Sequence, residues 1–71
     1  MLKEKFNEIL ANTKNQLLIV IKDESFLLNL NKKAVMNELG VIAIHENTGS
    51  ATIVFFNDID SIISDGQKFS A

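Results

Sequence analysis

The stretch that most constrains the fold is Leu17-Leu18-Ile19-Val20-Ile21, the longest unbroken apolar run in the chain. At five residues it is far too short to cross a bilayer as a helix, which takes about 20. Its β-branched side chains favour an extended backbone. A strand that is apolar on both faces belongs in the interior of a sheet. Residues 16–22 therefore read as a central strand, and the rest of the chain has to surround it.

There is little chain to do so. A length of 71 residues allows one domain, and a core of this size is marginal unless something further ties it. There is no Cys for a disulfide or a thiolate metal site. A single His is too few for an imidazole zinc site. A content of 46% apolar and 23% charged residues is that of a globular domain, not of a disordered one. Association between copies is the tie that remains, so a homo-oligomer is expected. The N-terminal segment is amphipathic and no apolar signal region follows it. The expectation is a soluble, cytoplasmic protein with no membrane partner.

Around the central strand the periodicities are clear. Leu2, Phe6, Ile9 and Leu10 form one apolar stripe at helical spacing, which predicts a helix over 2–12. Asp23-Glu24-Ser25 reads as a turn, and the alternation in 26–31 predicts a second strand antiparallel to the first. Asn31 as a cap and Gly40 as a stop favour one or two helical turns over 32–39, with strand and turn as the alternative. Residues 41–46 and 51–57 flank Asn47-Thr48-Gly49-Ser50 and predict a hairpin. Pairing Glu46 with Ala51 puts Ile42, Ile44, Ile53 and Phe55 on one face, expected as core. Val41, Ala43, His45, Thr52, Val54 and Phe56 take the other, suited to a subunit interface. Residues 59–63 suit a fifth strand or a helix, and 67–71 read as a tail beyond a domain of residues 1–66. The fold class is mostly β with an N-terminal helix, a small five-stranded bent sheet or barrel. The alternative is α+β, with helices at 32–39 and 58–64 on a four-stranded antiparallel sheet.

Charge narrows the functions. The net charge is −2, and all seven basic residues are Lys. Arg, which makes the bidentate forks to phosphate and guanine, is absent. A general nucleic-acid binder normally carries a basic excess, so such an activity would need a local patch. There is no G-x-S-x-G, no phosphate-binding Gly loop and no catalytic carboxylate pair, and no enzyme and no cofactor are expected. His45 reads as a surface or interface residue, and Asp58 and Asp60 as turn and cap residues.

One helix followed by about five short strands resembles the Sm-like family (LSm and Hfq-like). Val54-Phe55-Phe56-Asn57-Asp58-Ile59-Asp60-Ser61-Ile62-Ile63 carries the residue-level likeness. It is similar to the second motif of the bacterial branch, Val-Tyr-Lys-His-Ala-Ile-Ser-Thr-Val. Phe55 takes the Tyr position, Phe56 the Lys, Asn57 the His and Ile59 the Ile. Met36-Asn37 matches a Met-Asn pair of the first motif in other members. The family's bend-permitting Gly in the second strand and its Lys-His and Arg-Gly pairs are missing. The resemblance implies a ring-shaped homo-oligomer in which strand four pairs with strand five of the next subunit. It also implies weak RNA binding in pore-facing loops through Lys32, Lys33, Asn37 and Asn57. Val54, Phe56 and Ile62 are the expected oligomer contacts. The rival reading is a protein–protein interaction or scaffold module with no nucleic-acid role, which the acidic balance favours.

Overall fold

The computed structural model describes residues 1–71. Helix α1 (Lys3–Ala11) precedes β1 (Leu17–Ile21), β2 (Glu24–Leu28), β3 (Gly40–His45), β4 (Ala51–Phe55), β5 (Ser61–Ser64) and β6 (Gln67–Ser70). A single 3-10 turn, Phe56–Asp58, joins β4 to β5. The strands form one antiparallel six-stranded sheet in the order β4-β3-β2-β1-β5-β6. The apolar run is interior, between β2 and β5, as its composition requires. The bent sheet does not close into a barrel: β4 and β6 remain as its two edges.

Helix α1 covers one face of the sheet. It has no side-chain cap at its N-terminus, so it depends on packing more than on its own ends. Phe6 and Ile9 are buried, and the Phe6 ring lies against Phe56 with centroids 5.2 Å apart. Leu17, Ile19, Phe26, Leu28, Val41, Val54 and Ile62 complete the core from the sheet side. Thr13 ties the helix end to the sheet. Its hydroxyl donates to the Ile9 carbonyl at 2.7 Å and lies 2.6 Å from the hydroxyl of the buried Ser64.

Several sequence expectations are corrected. The first turn is Lys22-Asp23, not Asp23–Ser25: Ile21 pairs with Glu24, and Lys22 takes a left-handed φ of 54°. Residues 32–39 are not helical. The Asn37 side chain accepts from the Leu39 and Gly40 N–H groups at 2.8 and 3.0 Å, and a bridge joins Met36 to Val41. An Asn that satisfies nearby backbone donors this way favours a turn over a helix. Residues 61–64 are a strand, so the helical alternative for 58–64 falls.

The tail is not a tail. Asp65 and Gly66 both have positive φ, 49° and 86°, the geometry of a two-residue hairpin turn with an Asp-Gly sequence. Gln67–Ser70 turns back as β6 and covers the outer edge of β5.

The β3–β4 hairpin faces the opposite way from the expectation. Val41, Ala43, Val54 and Phe56 are 1–3% exposed, whereas Ile42, Ile44, Ile53 and Phe55 are 38–55% exposed. The register is also two residues removed: Ile42 pairs with Ile53 and Ile44 with Ala51. A slide of two keeps each set on its own face, so the inversion has a separate cause. It lies in the pairing with β2, where His45 stands opposite Phe26 and so sends Ala43 and Val41 to the core side. Val54, Phe56 and Ile62, expected at an oligomer interface, are therefore core residues of a single copy.

Candidate interaction surface

The face of the sheet opposite α1 is apolar. Ala51, Ile44, Leu27, Leu18 and Ile63 stand side by side across β4, β3, β2, β1 and β5, and the row ends at Lys68 on β6. A second row sets Ile42 beside Ile53. Ile53 is 55% and Phe55 48% exposed, so the apolar surface is most open at the β4 end.

That end is also an unpaired edge. His45 N–H donates to the Ser50 carbonyl and Phe56 N–H to the Leu39 carbonyl, both at 2.9 Å. Antiparallel pairs alternate between bonded and non-bonded. Between those two bonds, Thr52 and Val54 direct their backbone groups at β3, and Ala51, Ile53 and Phe55 direct theirs away from the sheet. Natural edge strands are usually blunted by charge, Pro or a bulge. Ala51-Thr52-Ile53-Val54-Phe55 has no charged residue and no Pro.

The other edge is blunted. Ala71 N–H donates to the Asp60 carbonyl at 3.1 Å, which by the same alternation turns the backbone of Lys68 and Ser70 outward. Lys5 Nζ occupies the Ser70 carbonyl at 2.7 Å, and Lys68 sets a charge on the strand.

The residues expected to contact RNA do not converge. Lys32 and Lys33 are exposed in the segment after β2, where Lys32 and Lys14 line a groove with Asn29. Asn37 is exposed, but its carbonyl oxygen is held by its own turn. Asn57 sits at the other end of the β1–β2 hairpin, in a groove with Asp23, Glu24, Asp58 and Asp60. Four carboxylates around Asn57 repel a phosphate backbone. Asp60 is partly engaged, since its Oδ2 accepts from Lys22 N–H at 2.6 Å. These carboxylates line the groove without converging closely enough for three of them to hold one metal ion.

His45 is a structural residue here. Its Nδ1 accepts from the Asn47 and Thr48 N–H groups at 3.2 and 3.3 Å, and its Nε2 lies 3.3 Å from Glu24. The ring meets Phe26 edge-on at 5.0 Å. Asp65 has a comparable part at the opposite end. Its carboxylate accepts from the N–H groups of Lys14, Gln16 and Asn15 at 2.7–2.9 Å, and these bonds hold its pKa below the usual carboxylate value.

The resemblance set strand four at a subunit border, but residue periodicity alone could not show it as an edge, because edge status depends on strand order, a long-range property. The absence of any charge between Ser50 and Asn57 was the available signal. No family model matches the chain, and no curated protein or solved structure matches it either.

Proposed function

We propose that the protein is a small Sm-like binding module whose partner is another polypeptide, received as an added strand along β4. The Sm-like part is supported by the helix followed by an antiparallel bent sheet with the apolar run inside it. The observation that carries the binding reading is the outward-directed backbone of Ala51, Ile53 and Phe55 beside the exposed side chains of Ile42 and Ile44. Strand addition draws affinity from main-chain hydrogen bonds, and specificity from alternate side chains on the flanking face. Both are available at this edge. A panel of extended peptides with alternating apolar residues, titrated into isotope-labelled protein at a concentration where it is monomeric by light scattering, tests the reading. Shifts centred on the amides of Ala51, Ile53 and Phe55 are expected, and none up to millimolar peptide ends it.

RNA is the second reading, and one observation favours it. Lys14, Asn15, Gln16, Asn29 and Asn31 line a common groove, with Lys32 in the groove beside it. Lys supplies phosphate contacts and amide side chains read base edges. With so few cations the binding is weak and falls steeply with salt. Anisotropy titrations with U-rich and A-rich oligonucleotides at low salt decide it, and no binding below about 100 μM ends this reading.

A further inference from the structure

We infer that the strand received at β4 is β4 of a second copy, antiparallel to the first about a two-fold axis at Ile53. This rests on the strand-addition reading and names its partner. An axis there makes three bonded pairs from the residues whose backbone is free: Ala51 with Phe55, Ile53 with Ile53, and Phe55 with Ala51. Each pair exchanges two hydrogen bonds, so all the outward groups of the strand are satisfied at once.

The side chains fit the same axis. Opposite residues of an antiparallel pair point to one face, so the small Ala51 of one copy faces the large Phe55 of the other. Ala51 has Ile44 as its cross-strand neighbour. Phe55 therefore lies over Ala51 of the second copy and reaches its Ile44. At the centre the row becomes Ile42, Ile53, Ile53, Ile42. Each copy carries a net charge of −2, and a two-fold contact sets every charge near it against its own image. β4 is the edge that contains no charge, whereas pairing β4 with β6 would set Lys68 among the isoleucines and would have to displace Lys5 from Ser70. A contact one strand wide is at the low end for a specific interface, so association is read across a range of concentrations.

Light scattering coupled to size exclusion, from about 10 to 500 μM, reads the assembly directly. A 7.9 kDa chain is expected to move toward twice that mass as concentration rises. Ile53→Lys removes both isoleucines from the axis, sets two ammonium groups face to face there and weakens association by at least about 10-fold. Circular dichroism on the dilute variant confirms that it is folded. The register has its own readout. Bonded antiparallel partners have Cα atoms about 5.5 Å apart, within disulfide range. In a chain without Cys, an Ile53→Cys variant oxidises to a covalent dimer much faster than a Lys68→Cys variant. A species that stays monomeric at 500 μM overturns the self-pairing. If peptides then shift the β4 amides, strand addition survives with a different partner; if they do not, both readings fall. A dimer indifferent to Ile53→Lys, or equal oxidation of the two Cys variants, overturns the self-pairing and leaves strand addition to the peptide titration.

Discussion

Ile42 and Ile53 face each other across β3 and β4 on the side of the sheet that the core does not use. Two β-branched side chains paired in the open are a poor choice for solubility and a good one for contact. Their exposure separates stability from association. Ile53→Asp should leave the unfolding free energy of dilute protein within about 1 kcal/mol of the parent, because the new charge stays hydrated. A urea melt showing a loss above about 3 kcal/mol would place Ile53 in the core after all.

Phe6 is the contrasting case. It is fully buried against Phe56 and is the aromatic residue that fastens α1 to the sheet. Phe6→Ala removes that contact and leaves a cavity, a loss of about 3–5 kcal/mol. For a domain of about 5 kcal/mol total stability this leaves about 2 kcal/mol or less, so up to about half of the molecules are unfolded without denaturant. Denaturant titration should show a strongly shifted or absent transition.

Gly40 is required for lack of space. A Cβ there would press on the Val54 carbonyl oxygen and stand 3.0 Å from the Val54 carbonyl carbon and 3.1 Å from Phe55 Cα. These are backbone atoms of the paired strand and cannot swing aside. Gly40→Ala should cost at least about 2 kcal/mol by forcing β3 and β4 apart. Amide exchange at Val41 and Val54 should rise together if that is the cause.

Much of this was legible in the sequence, and the rest was not for identifiable reasons. Leu17–Ile21 announced an interior strand because nothing else accommodates so apolar a run. Phe6 and Ile9 announced the buried stripe of a helix by spacing alone. Which face of the β3–β4 hairpin turns inward could not be read locally, since both faces carry large apolar residues. His45 opposite Phe26, a contact between strands far apart in sequence, decides it. β6 was hidden for another reason. Its Asp65-Gly66 turn signal was present, but Gln67–Ser70 holds one large apolar residue, Phe69. The candidate site was the least legible part, because an edge exists only once the strand order does.

Asp65 makes stability pH-dependent with a definite sign. Its carboxyl is held below its ordinary value in the folded state by the N–H groups of Lys14, Gln16 and Asn15. A depressed carboxylate binds its proton less readily when folded, so its contribution is complete above the unfolded value near 3.8. That contribution is lost as pH falls through the folded value. The midpoint of thermal unfolding should fall on acidification below about pH 4. In Asp65→Asn this component of the fall should be missing, and the midpoint at neutral pH should already be lower.

His45 should hold the 46–50 connection through Nδ1, which accepts from the Asn47 and Thr48 N–H groups. In His45→Phe, with the acceptor gone, the amides of Asn47 and Thr48 should exchange about 5-fold faster. Unchanged exchange would show that the loop holds itself.

β6 also limits the valence of the molecule. With Gln67–Ser70 laid along β5, each copy has one uncharged open border, and under the self-pairing inferred above an object with one such border pairs off. Removing residues 67–71 would bare a second border of Ser61–Ser64, unlike the first. Two unlike borders permit head-to-tail growth, into rings where the rotation closes and filaments where it does not. Under that self-pairing, the four residues of β6 separate a discrete pair from a polymer.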